Sequence, residues 1–163
     1  MKRKKDKMDK RFIFGHKYRE ILDKTAVCTV DVVIFNKDMS ETLLFRRKNL
    51  PLKGCYFSIG GRLYKNEKLD DCAIRQLKKE AGIKASKKDI FFGGVAEELN
   101  RDSIFENVSY HAVNIFYGFK TDDKNLKLKL DDQHDGFKWF SVKDKKIHKF
   151  AKYKIDELVK KYG

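Results

Sequence analysis

The segment from residue 60 to residue 83, GGRLYKNEKLDDCAIRQLKKEAGI, leaves little freedom in how this chain folds. It opens on a Gly-Gly turn, where backbone can approach a ligand that a Cβ would block. It closes on Gly82, placed as the C′ residue of a helix. Between them the spacing predicts one amphipathic helix, with Asn66 as its N-cap. Glu67, Asp70 and Asp71 are expected in its first turns, Lys78 and Lys79 in the last. Leu69, Cys72, Ala73, Gln76, Leu77 and Glu80 fall on one side at spacings of three and four. A helix with one apolar face must lie on another layer, so a sheet is needed beneath it.

The rest of the chain supplies that sheet. AVCTVDVVIF (26–35) reads as a buried strand, rich in β-branched residues, and TLLFRRKN (42–49) as its antiparallel partner. CYFSI (55–59), DIFFGGVAEEL (89–99), VSYHAVNIFYGFK (108–120) and FKWFS (137–141) are further predicted strands. HKYREILDK (16–24) is a predicted short helix, and residues 142–162 form a basic amphipathic one. The fold class is therefore α+β, a mixed sheet between helices. A length of 163 residues suits a single domain spanning 1–163, with 1–11 read as a flexible basic tail.

Composition narrows the function classes. The net charge of +14 reads first as a lysine-rich solvated surface; as a functional signal it would attract an anionic partner, either a phosphorylated small molecule or nucleic acid. The aromatics sit in strand-like runs and are not interleaved with arginines, which argues against nucleic acid. No apolar run approaches the roughly 20 residues that span a bilayer, and the basic N-terminus has no apolar stretch after it. A cytoplasmic protein without membrane contact is the expectation. The three cysteines, Cys28, Cys55 and Cys72, form no CxxC pair and are read as buried reduced thiols.

Candidate chemistry gathers in and around the glycine-bounded helix. Glu67 and Arg75 are too far apart for a regular helical pair. They can meet only if Glu67 lies on the loop before the helix and folds back. Glu80 offers a hard oxygen for Mg²⁺. Arg62 can reach a phosphate. Asp31 lies in a buried strand, where an unpaired acid is costly, so a partner or a function is expected there. His111 is read as either a satisfied core histidine or a substrate-facing one. His16 and His148 are read as surface residues, and Trp139 as core.

The segment resembles the box of the Nudix hydrolases. Gly61, Glu67, Arg75, Leu77, Glu80, Gly82 and Ile83 fall in register with that box. Gln76 and Lys79 stand where two of its glutamates are expected. The same two gaps resemble the GDP-mannose mannosyl hydrolase branch of the family. VDVVIFN, LLFRRKN, YFSIGGR and DDQHDGFKWFS extend the resemblance over roughly residues 26–142. It implies a Nudix fold and a homodimer. The substrate implied is a nucleotide-sugar, most of all GDP-mannose. Mg²⁺-dependent attack at the sugar C1, with inversion, would release GDP and free sugar.

Residue by residue, the resemblance implies one Mg²⁺ per site, or Mn²⁺ as a substitute, held by Glu80, the Gln133 side chain and the Gly60 carbonyl. It implies His134 as general base, Arg62 and Arg47 at the departing diphosphate, and Asp31 at the substrate, with His111 a further substrate-binding candidate. Three departures stand out: Ile59 replaces a proline, Ala112 a tyrosine, and Glu98 stands near a position of an active-site histidine. The alternatives are a Nudix pyrophosphatase that breaks the P–O–P bond of another substrate, and a Nudix module that binds a nucleotide without hydrolysis.

Overall fold

The computed structural model describes residues 11, 13, 15–122 and 126–163. The basic tail expected over 1–11 lies almost wholly outside the described residues. Along the chain the elements are α1 (Gly15–Lys24), β1 (Val27–Asn36), β2 (Glu41–Arg47), β3 (Tyr56–Phe57), β4 (Ile59–Arg62), α2 (Leu69–Ala81), β5 (Ile90–Asn100), β6 (Tyr110–Thr121), β7 (His134–Ser141) and α3 (Lys149–Tyr162). The α+β expectation holds.

β1 is the organising strand. Its residues are buried on both faces except Cys28, as a β-branched run predicts. It pairs in parallel with β6 along its whole length and antiparallel with two other strands in turn. Near its C-terminal end Ile34 and Phe35 face β2, while Thr29 to Val32 face β4. The remaining pairings give the order β3-β2-β1-β6-β5, with β7 on β2. The change of partner along β1 sets Asp31 directly opposite Gly60.

One helix covers each face of the sheet. On one side Val30, Val32 and Ile34 pack with Cys72, Ala73, Leu77 and Ala81 of α2. On the other, Val33, Phe35, Leu44 and Phe116 pack with Ala151, Ile155 and Leu158 of α3. α1 closes one end through Leu22, which packs with Val27, Val108 and Ala112. Leu77 is fully buried at the centre of the α2 contact. Leu77→Ala should therefore cost about 2–5 kcal/mol, read as a shift in the denaturation midpoint. A loss below about 1 kcal/mol would mean that the sheet collapses around the cavity.

Several local expectations are corrected. α2 begins at Leu69, not near Asn66, and its N-cap, Lys68, makes no side-chain cap bond. Asn66 takes a left-handed turn instead (φ 64°), a conformation asparagine tolerates. Leu69 is 36% exposed, since the first turn overhangs the sheet. At the far end Gly82 caps the helix in the left-handed region (φ 71°), as expected. The last helix starts at Lys149, seven residues after the predicted 142, where the His148 side chain accepts from Phe150 N. His148 is thus a cap packed edge-on to Phe57 at 6.0 Å, not a plain surface residue. Cys28 and Cys55 are half-buried and only Cys72 is fully buried, its thiol pushed up to about 12 by burial. Trp139 packs against the core as expected.

Candidate functional site

Where β1 passes from β2 to β4 the sheet opens into a cavity of about 410 Å³. Asp31, Arg47, Gly60, Arg62, Glu80 and Gln133 all line it. These six expected site residues come from five separate stretches of chain, and only the tertiary fold brings them together. Arg46 turns outward to Asp135 at 2.7 Å. Its neighbour Arg47 faces the cavity, where Nε donates to Pro51 O at 2.9 Å.

The loop before α2 is braced as its residue types suggest. Glu67 lies ahead of the helix and folds back on Arg75, with Nε–Oε1 at 2.6 Å and Nη2–Oε2 at 2.9 Å. Glu67 also accepts from Tyr64 N, and Arg75 donates to Arg62 O. Burial works against the Glu67 charge, but the Arg75 bonds outweigh it and hold the carboxyl below its usual range. The bidentate pair fixes the segment that carries Arg62. The Arg62 guanidinium lies 5.8 Å from the Tyr18 ring and 5.5 Å from the Tyr64 ring, and donates to Arg11 O.

Gly60 and Gly61 are required for space. A Cβ at Gly60 would come 2.0 Å from Asp31 Oδ1 and 2.8 Å from Val30 O. The second contact is with backbone and cannot swing away. Gly60→Ala should cost about 1–3 kcal/mol and displace Asp31, which a denaturation curve and an activity assay on the same sample will show together.

Glu80 is 1% exposed, at the inner edge of the cavity. Gly60 N donates to its Oε2 at 3.3 Å. Gln76 has its amide oxygen toward Gly61 N (3.2 Å) and Arg75 Nη1 (3.3 Å), which lets its NH₂ donate to Glu80 Oε1 at 2.8 Å. Burial, reinforced by the nearby charge of Asp131, pushes Glu80 up to about 8. A carboxylate so placed needs a countercharge.

His134 stands behind Glu80, its side chain only 1% exposed. It is not among the residues lining the cavity. Its Nδ1 is 2.9 Å from Asp131 Oδ1, which also accepts from Gln133 N. Its Nε2 has no hydrogen-bond partner and lies 3.8 Å from Glu80 Oε2. Gln133 precedes β7 and reaches the cavity, whereas His134 opens the strand and turns inward, so the two neighbours alternate.

Ligating atoms of Glu80, Asp131 and His134 all lie within 4.8 Å of one another. Two carboxylates and an imidazole suit a divalent cation. The raised Glu80 carboxyl, buried beside Asp131, is what such a cation would relieve. The residues present therefore fit a metal, with Glu80 as the one pocket-lining acid of α2. Asp131 was not a sequence candidate, although it stands three residues before His134 in the same motif.

His111 is placed elsewhere. It sits outside the cavity lining, with Nε2 2.8 Å from Glu97 on the neighbouring strand. Lys154 was not a sequence candidate either, yet it is fully buried between Asp31 and Glu98. Its signal was available: Lys154 falls in step with Ala151, Ile155 and Leu158, on the apolar stripe of α3.

This geometry can be set beside known proteins. The NUDIX domain family matches residues 27–159. The chain belongs to the Nudix family. Its sequence is 28% identical over 142 residues to the low-salt glycan biosynthesis protein Agl8 of Haloferax volcanii, covering 86% of this chain and 87% of that one. It is 35% identical over 86 residues to an ADP-ribose pyrophosphatase of Methanocaldococcus jannaschii, covering 53% of this chain and 47% of that one. Among solved structures, the fold is similar to a MutT NUDIX hydrolase from Burkholderia pseudomallei, with TM-score 0.67 and 18% identity over 83% of this chain and 99% of that one. As a Nudix protein it is expected to use a divalent metal ion, and the Glu80 cluster is where this chain offers one. Among the described residues no helix is long and apolar enough to cross a membrane.

Proposed function

We propose that this Nudix protein hydrolyses a nucleotide-sugar in a Mg²⁺-dependent reaction at the sugar C1, giving a nucleoside diphosphate and free sugar. GDP-mannose is the substrate implied by the sequence resemblance. The observation that carries the reading is the electrostatics of α2 at the cavity. Of the helix residues that line it, Glu80 is the only acid, Gln76 is a neutral donor to that acid, and Lys79 and Arg75 are cations. Such a wall suits one ion rather than a cluster of them. The similarity to a protein named for glycan biosynthesis supports a sugar-linked substrate.

In this reading Arg47 and Arg62 bind the diphosphate and offset the charge that builds on it as the C1–O bond breaks. Glu80, Gln133 and the Gly60 carbonyl would hold the ion, which would neutralise the same leaving group. Asp131 holds His134 Nδ1–H and leaves Nε2 as a proton acceptor. Nε2 faces Glu80 Oε2 across 3.8 Å, at the inner edge of the cavity. His134 takes the proton of the attacking water, the water oxygen bonds to C1, and the diphosphate leaves with the bonding pair.

A second reading has its own support. The similarity to an ADP-ribose pyrophosphatase favours attack at phosphorus on a related substrate. Product analysis in ¹⁸O-labelled water separates the two. GDP and ¹⁸O-mannose from GDP-mannose are the expected products. GMP and mannose 1-phosphate would transfer the protein to the pyrophosphatase reading. Tight binding without turnover would make it a binding module. The reading also places the protein in the cytoplasm as a homodimer, and sedimentation of the purified chain tests the latter.

A further inference from the structure

The C-terminal helix supports the cavity from behind through one residue. Lys154 is fully buried, with Nζ 2.5 Å from Asp31 Oδ2 and 2.8 Å from Glu98 Oε1. Ser58 Oγ donates to the same Asp31 Oδ2 at 2.8 Å. The Nζ also lies 4.4 Å from the centre of the Phe57 ring. Burial works against the ammonium charge, but Asp31 and Glu98 outweigh it and hold it above the usual lysine range. Packing alone does not explain a lysine here. A charge at an apolar helix–sheet contact is costly, and a hydrophobic residue of the same length is often as stable or more so.

The division of oxygens is informative. Asp31, Glu98 and Ser58 line the cavity, whereas Lys154 lies behind them and does not. Lys154 and Ser58 take up Asp31 Oδ2, and Lys154 takes up Glu98 Oε1. Asp31 Oδ1 and Glu98 Oε2 are left out of these bonds. Two adjacent carboxylates would repel a diphosphate ligand and each other. The lysine cancels one of the two charges and clamps one oxygen of each acid.

We infer that Lys154 is a positioning residue for a sugar subsite, in which the free oxygens of Asp31 and Glu98 accept hydrogen bonds from a pair of hydroxyls on the substrate sugar. The inference rests on the nucleotide-sugar reading above and adds to it the place where the sugar is recognised. Hydroxyl pairs are the fitting donors, because the subsite keeps one net negative charge and offers only acceptors. The diphosphate belongs instead with the cations of the same cavity, Arg47, Arg62 and Lys79.

The test compares ligands with and without the sugar. Affinities of the full-length protein for GDP-mannose and GDP, and for ADP-ribose and ADP, are measured with Mg²⁺ before and after Lys154→Met. Loss of the charged hydrogen-bond geometry should weaken the sugar-bearing member of whichever pair binds by about 10- to 100-fold. The bare diphosphate, which meets only the uncancelled charge, should weaken by much less, so that KM for the nucleotide-sugar rises further than the inhibition constant of the diphosphate. Equal weakening of both members would assign the acids to the nucleoside and overturn the sugar subsite, as would no weakening at all. If Lys154→Met does not fold, Glu98→Gln carries the same comparison with the lysine in place. A wild-type protein that binds neither pair removes the nucleotide-sugar reading and the subsite with it. A wild type that binds, beside an indifferent variant, removes the subsite alone.

Discussion

Glu80→Gln should lower kcat by about 10²–10³-fold or more and, without metal, make the protein more stable. The two effects have one cause. Glu80 is 1% exposed, and its position is raised to about 8 by burial first and by Asp131 second. A carboxyl whose folded value is raised binds more protons folded than unfolded. In the metal-free protein its contribution to stability is therefore favourable at low pH and falls away as pH climbs from the ordinary carboxylate range toward about 8. Glutamine keeps the shape and an acceptor for Gly60 N without the charge. The variant should gain about 1–3 kcal/mol at neutral pH in EDTA and lose most of that pH slope. Wild type should recover the difference on adding Mg²⁺, whereas the variant should show no Mg²⁺-dependent shift in Tm. A variant that is destabilised in EDTA, or still stabilised by Mg²⁺, would show that Glu80 is not the residue that needs the ion.

His134→Gln should cost about 10²–10⁴-fold in kcat, the usual contribution of a general base. It should leave the Mg²⁺-dependent Tm shift in place, and this separates it from Glu80→Gln. The argument is the partnerless Nε2, sealed from solvent and facing Glu80 across 3.8 Å. A buried ring nitrogen without a partner is expensive unless something occupies the gap during function. Near-normal turnover would take the base role from His134. Loss of the Tm shift would make the imidazole a ligand of the ion. Asp131→Asn is the companion variant, because Asp131 fixes which nitrogen carries the proton.

Much of the frame was legible before any coordinates. The glycine turn, the α2 face and Gly82 are local patterns, and local patterns follow from backbone sterics and the 3.6-residue period. β1 was legible for the same reason, as a β-branched run too apolar for a half-exposed strand. The misplaced boundaries are those where a side chain from elsewhere decides. Glu67 leaves the expected first turn of α2 to pair with Arg75, and the helix starts two residues after it. The last helix waits for His148, which docks on Phe57.

By itself the sequence determined the family frame: the box with its gaps at Gln76 and Lys79, the surviving Glu80, and the motif holding Gln133 and His134. Spacing along a chain can reveal such features because each lies within a few residues of its own context. Only the tertiary structure decided which side chains meet. It turned Arg47 inward and Arg46 outward, set His134 behind Glu80, and left His111 with Glu97. It also drove Lys154 between two acids that lie 123 and 56 residues away in sequence. Those outcomes depend on strand register and on how two helices close over opposite faces of one sheet. A one-residue change in the register of β2 or β7 would turn Arg47 or His134 to the other face.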